Sequence, residues 1–439
     1  MPSPDFVRFR TGQFLAILGG RCSFLSLSWW LLARTGSKAD FTRLALIFSL
    51  CGLVSLPIFA SLADRWSRKA CALAADLWSL AGVIALWAAT WDGHYRPLVT
   101  ELIVGSLALG VSLMTAVSGS IIPSLVQRER LIIPSLVQRE RLGEAFAAIT
   151  ASQALVFLLA PLLAGFGATW IPLSLALAVN AAMLVVTLLL TASIRAPEAA
   201  LPGGVRDGWF TSVTAGVRLS IRIPAERDWN VIGAVINGCV IPFVSLTVPV
   251  LVLHEQRQPA WYVGAFSAAM AIGLWAGSRL TPRRRGSVSS LSAAVGSVAL
   301  IGAGIGLYAV CSSAGTLAVG SFVCGVGTGL HNVRCAAYRS AATPAAFRAR
   351  LSSWGKWLSQ AAVPVGLGGV GWLLQHTSAC VAAATAAGIV GCCSMALYFA
   401  QGVRELLARP LLDAHDYYLV RYPAAFGASD LREQPRAFP

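Results

Sequence analysis

Runs of about twenty apolar residues, each nearly free of charge, recur from one end of this 439-residue chain to the other. Inside a bilayer there is no water to bond the backbone, so such runs satisfy their own hydrogen bonds as membrane-crossing helices about twenty residues long. The composition agrees, with 56% of residues hydrophobic and 12% charged, where soluble domains carry roughly a quarter charged. The chain is therefore predicted to be an all-α integral membrane protein. Its twelve transmembrane helices are placed at 12–33, 41–63, 70–91, 98–121, 145–168, 170–192, 229–252, 260–280, 288–311, 314–336, 352–374 and 378–402. A polar stretch, Ser193–Asp228, separates six spans from six. Arg8 and Arg10 precede the first apolar stretch as in a secretory leader, but the stretch continues to Ala33 with no clean small-x-small site. It reads as an uncleaved first span.

A net charge of +15 raises nucleic acid as a partner, and the loops answer it. With the N-terminus inside, the short loops on the inner side hold Arg65, Arg68, Lys69, Arg128, Arg130, Arg139, Arg141, Arg283, Arg284, Arg285, Arg339, Arg348 and Arg350. The opposite loops hold Arg34, Lys38, Arg43, Arg96 and Arg257. Thirteen against five obeys the positive-inside rule with both termini cytoplasmic. The charge is topological and excludes nucleic acid. The expected domains are an N-terminal six-helix bundle (1–192), a cytoplasmic linker (193–228), a C-terminal six-helix bundle (229–403) and a cytoplasmic tail (404–439). Trp91, Trp170 and Trp261 sit where interfacial anchors belong. The ten cysteines form no CxxC pair and fall in apolar runs, so they read as small buried hydrophobes, with no metal or disulfide framework.

Between the second and third spans stands "ASLADRWSRKA", Ala60–Ala70. It resembles the loop signature of the major facilitator superfamily, Gly-x-Leu-Ala-Asp-Arg-x-Gly-Arg-Arg/Lys. Leu62, Ala63, Asp64, Arg65, Arg68 and Lys69 match, while Ala60 and Ser67 replace the glycines. The resemblance implies two six-helix bundles in the major facilitator fold and a gating role for Asp64, Arg65, Arg68 and Lys69, with the aspartate capping a helix start, where negative charge is favoured. In the fifth span "LAPLLAG", Leu159–Gly165, is similar to the Gly-Pro-x-x-Gly-Gly signature of family antiporters. Pro161 and Gly165 match, and Ala160 and Ala164 replace two glycines; small residues around a proline let helices pack closely and bend. "PSLVQRERLGEAFA" and "TPAAFRARLSSWGKWLSQAAVPVG" resemble the branch containing bacterial siderophore exporters, such as the enterobactin exporter, and macrolide efflux pumps.

Ionisable groups at membrane depth are functional candidates by default. Here they are Arg21, Asp76, His331, Arg334 and Lys356. The resemblance implies that spans one, four, seven and ten line a central cavity, which singles out Arg21 and His331 for substrate, joined by the polar Gln153, Asn237 and Gln360. Asp76 lies about 10 Å along its helix from the basic loop and is expected to pair with that loop's cations, or else to carry protons. His331, with an ordinary value near 6.5, is the other proton-coupling candidate. Arg334 and Lys356 read as snorkelling side chains. Basic groups with scarcely any acid suit an anionic, catecholate or carboxylate cargo.

No GxSxG, Walker lysine loop, HExxH or paired carboxylate site is present, so the chain is not read as an enzyme. The expectation is a secondary active exporter in the bacterial inner membrane, working as a monomer without cofactor or metal, moving a siderophore-like metabolite by proton antiport. The alternatives are a multidrug or macrolide pump, a lysophospholipid flippase-like member and a transport-inactive homologue.

Two further stretches stand apart. "IIPSLVQRERL" is written twice without a change, at 121–131 and 132–142, and reads as a recent in-frame duplication absorbed in a cytoplasmic loop; Pro123 and Pro134 argue for a kinked or looped segment. The tail from Tyr418 to Arg436, with its prolines and alanines, reads as disordered.

Overall fold

A computed structural model describes residues 4–63, 67–126, 155–156, 158–194, 217–280, 290–310, 313–344 and 347–426. The described chain is helical throughout its length, and eleven of the described helices are long and apolar enough to cross a membrane. The first four are α1 (Pro4–Thr35), α2 (Lys38–Ala63), α3 (Arg68–Thr90) and α4 (Pro97–Val126). A shorter apolar helix, α5 (Leu158–Trp170), precedes α6 (Leu173–Ala192). The second set is α7 (Pro224–Glu255), α8 (Trp261–Leu280), α9 (Ser290–Val310), α10 (Ala314–Ala342), α11 (Arg348–His376) and α12 (Ala379–Phe399). Two short helices follow, α13 (Gln401–Leu407) and α14 (Tyr417–Arg421).

The starts are written in the sequence. Ser67, Ser313 and Ser378 each accept a hydrogen bond from the backbone N–H three residues on, as good N-caps do. Pro97 opens α4 and Pro224 opens α7, where a missing N–H costs nothing. Two expectations are corrected here. α4 runs through Pro123 to Val126, so the first copy of the duplicated segment begins as helix; 127–142 lie outside the described residues. The tail is ordered as far as Phe426, with Tyr417, Tyr418 and Phe426 buried, because three aromatic side chains outweigh the prolines and alanines between them; 427–436 lie outside the described residues.

The chain forms two compact units, one of residues 1–206 with 248–268 and the other of 207–247 with 269–439. In the first, α2 packs on α4, α4 on α3, α3 on α6 and α6 on α1. Its apolar core runs through Leu27, Leu31, Leu44, Val83, Leu86, Val104 and Leu177, with a second cluster of Phe6, Phe9, Ala72, Ala75, Leu113 and Val117. In the second, α9 packs on α10 and α12, while α7 packs on α11 and α12. Shifted by six spans, α3–α4, α3–α6 and α1–α6 become α9–α10, α9–α12 and α7–α12. This is the internal repetition expected of many transporter folds.

Glycine sets the closest approaches in the second unit. A Cβ on Gly325 would strike the carbonyl of Met270, and one on Gly277 would strike that of Val326. With Gly273 and Gly329 they place two glycines four residues apart on each of α8 and α10, the small-xxx-small pattern that lets backbones touch. α7 is irregular. Beyond Pro242 it widens to π-helix over Phe243–Thr247 and again over Val250–Glu255. Pro242 has no N–H to offer the carbonyl of Gly238. That carbonyl is what a Cβ at residue 366 would meet, so glycine there lets α11 lie against the weakened turn of α7.

Candidate functional site

In the first unit one set of polar contacts gathers at the end of α6. Lys69 and Asp76 are seven residues apart on α3, two turns of helix, and so face the same neighbour. Lys69 Nζ donates to the carbonyls of Ala192 (2.8 Å) and Ile194 (2.7 Å), and Arg8 Nη1 donates to that of Ser193 (3.3 Å). Two cations thus satisfy carbonyls at and just past the end of α6, where the helix dipole favours positive charge. Asp76, buried, accepts from Thr191 Oγ1 at 2.8 Å. The expected pairing of Asp76 with the basic loop is corrected on this point: its partner is a hydroxyl on α6, and Lys69 binds backbone. Asp64 and Arg65 lie outside the described residues, and Arg68 opens α3.

The valine substitution Thr191→Val removes the donor to a buried carboxylate while keeping the shape. It should cost about 1.5–3 kcal/mol, read as a lower melting temperature in detergent, and Thr191→Ser should restore most of it.

Around α1 and α5, Cys22 Sγ donates to Ala160 O at 3.6 Å. That fixes the face of α1 that meets α5, and Arg21, one residue round the helix, is exposed. Ala160 and Ala164 are buried. A Cβ on Gly165 would lie 2.9 Å from Ala260 O, and one on Gly264 would lie 2.6 Å from Pro161 O. The fifth-span motif therefore packs backbone to backbone against the start of α8. Lys38 and Glu255 form an ion pair at 3.4 Å in the same unit.

The second unit holds the charged centre that the sequence reading missed. Glu226, in the first turn of α7, is fully buried. Arg339 on α10 grips both its oxygens, Nε to Oε1 at 3.0 Å and Nη2 to Oε2. Arg339 Nη2 also donates to Asn230 Oδ1 at 2.7 Å, and Asn230 Nδ2 donates to Ser220 Oγ at 2.9 Å. From the tail, Tyr418 OH donates to Glu226 Oε1 at 2.9 Å. Burial, with Glu226 beside it, pushes the Tyr418 phenol well above its ordinary value, so it remains a donor. Sequence reasoning assigned Arg339 to a loop and left Glu226 in the linker. The signal was Pro224, a helix-opening proline that starts the seventh span five residues before Trp229.

The other sequence-derived candidates are dispersed. Asn237 donates to Gly233 O of its own helix at 2.9 Å. His331 is buried, four residues beyond Gly327 on the stripe of α10 that meets α9. Gln360 and Lys356 are exposed. Arg334 donates to Ser290 O at 3.4 Å. Gln153 lies outside the described residues. Among the described residues no hydrogen bond joins Asn237, His331 and Gln360. Nor does any group of three metal-ligating side chains occur among them.

The sequence model of the Major Facilitator Superfamily matches residues 11–367. The chain belongs to that superfamily. No curated protein matches it. Among solved structures it is similar to a substituted form of the nucleoside transporter NupG, with a TM-score of 0.72 and 12% identity over 90% of this chain and 100% of that one. It is similar also to a bacterial homologue of the iron transporter ferroportin in its inward-facing state (TM-score 0.69, 14% identity, 90% and 98%). A peptide transporter of the POT family bound to alafosfalin is a third (TM-score 0.68, 15% identity, 92% and 96%). At such identities the likeness is one of fold: an all-helical major facilitator protein with eleven membrane-length apolar helices among the described residues, a transporter by family. Within this superfamily member, the loop matching the family signature is the one whose Lys69 closes the end of α6.

Proposed function

We propose that this protein is a secondary active exporter that carries an anionic small metabolite, a siderophore in the first instance, out of a bacterial cytoplasm by proton antiport. The observation that carries the reading is Arg21, exposed on α1 in the middle of a membrane-spanning helix. A guanidinium held at that depth belongs to a water-lined path and recognises carboxylate or catecholate oxygens. The acids of the described spans offer a cationic cargo little. Glu226 is neutralised by Arg339, Glu101 is bonded to Arg43, and Asp76 is held by Thr191. Of the buried acids, Asp76 has a neutral hydroxyl as its partner where Glu226 has a cation, which makes Asp76 the candidate proton carrier, with His331 second. The excess of arginine and lysine in one set of loops supports cytoplasmic termini, and the resemblance of the motif segments to siderophore and macrolide exporters favours the outward direction.

The test is siderophore in the medium of iron-starved cells lacking the gene. Wild-type complementation should restore secretion, whereas Arg21→Ala, expressed at equal level, should lower it about tenfold, the worth of one charged hydrogen bond. Unchanged secretion in the deletion strain, with no redundant exporter, would sink the siderophore reading and put hydrophobic-drug efflux in its place.

A further inference from the structure

The segment that follows α12 folds back along the second unit. Val403, Leu406, Leu407, Tyr417, Tyr418 and Phe426 are buried, while Leu411 and Val420 are exposed. Apart from those buried side chains and Gly402, which lies against the backbone of Ala225, its attachments are few and local. Tyr418 OH reaches Glu226 Oε1 at 2.9 Å. Asp416 N donates to Ala341 O at 2.9 Å, closing the end of α10. Tyr338 OH donates to Arg409 O at 3.1 Å, and Phe426 meets Phe347 edge-on with ring centroids 5.0 Å apart. We propose that Gln401–Phe426 is a releasable strap that docks through Tyr418 and holds the Glu226 end of α7 against the Arg339 end of α10.

Three features make it releasable rather than a fixed brace. First, the charge of Glu226 is already balanced by Arg339 and bonded by Asn230. Withdrawing Tyr418 therefore costs its hydrogen bond and the burial of its ring but leaves no bare ion, whereas withdrawing Arg339 would leave one. Second, Asp416 turns the chain into α14 with φ +51°, a left-handed conformation that a non-glycine residue adopts at a cost and relaxes on release. Third, α14 has five residues, too few to persist alone, so a released strap loses its helix and the two states are distinct.

Cys335 reports on the strap without knowledge of any cargo. Its half-buried thiol lies beside Arg339, Glu226 and Tyr418. In full-length protein in native membranes, N-ethylmaleimide modification of Cys335, followed peptide by peptide, tracks the fraction of undocked strap. Tyr418→Phe removes the hydroxyl and keeps the ring. It should speed Cys335 modification about tenfold, with cooperative melting retained, and Phe426→Ala, at the far anchor, should act in the same direction. Modification unchanged in both variants, or quickened only together with loss of cooperative melting, would overturn the proposal. Because no transported compound enters the assay, its failure is separate from failure of the siderophore reading.

Discussion

Arg339→Ala should destabilise this protein by about 3–5 kcal/mol, enough to abolish folded yield in mild detergent. The cost comes from what stays behind. Glu226 is fully buried, and without the guanidinium its carboxylate keeps only Asn230 and Tyr418 as donors, neither of them charged. A lone ion in such a place costs far more than a hydrogen bond returns. The same physics fixes the control: Glu226→Gln combined with Arg339→Met removes both charges and fills similar volume, so it should recover most of the lost stability. Thermal melting of the single and double variants decides it. A double variant as unstable as Arg339→Ala alone would show that the pair contributes something beyond mutual neutralisation.

Gly325→Ala is the second large effect. The added methyl would land on the carbonyl of Met270, which is backbone and has no rotamer to change. α8 and α10 must part, and the neighbouring contacts at Gly273, Gly277 and Gly329 part with them. Overpacking in a close-packed interior costs about 1–3 kcal/mol, with the upper end expected where backbone is the obstacle. Gly296 on α9 has open space where its Cβ would be, so Gly296→Ala should be neutral or gain about 0.5–1 kcal/mol. Melting of both variants side by side separates crowding from any general effect of alanine in these helices.

The spans were legible because lipid imposes one rule on every residue of a membrane-crossing run, and that rule is visible as hydropathy. The loop signature at Ala60–Ala70 was legible for the same local reason, since its residues are neighbours in sequence. What escaped was pairing over distance. Glu226 and Arg339 lie 113 positions apart, each at a helix end where a charge looks like an ordinary loop charge, and only folding shows that they meet. Asp76 was found as a buried acid, but its partner was misjudged, because Lys69 is nearer in sequence while Thr191 is nearer in space. Tyr418 hid inside a composition that usually signals disorder. His331 and Arg21 were equally conspicuous as letters, and the fold separates them, burying His331 and leaving Arg21 exposed.

The two π-helical stretches of α7 have a consequence for descent. Each π turn takes up one residue more than an α turn, so Phe243–Thr247 and Val250–Glu255 have the form of insertions stored as width instead of length. Residues on either side of them no longer share one angular phase. Comparisons of this span with those of relatives must open a gap of a residue at each stretch, or the lining of the helix will be assigned to the wrong side chains.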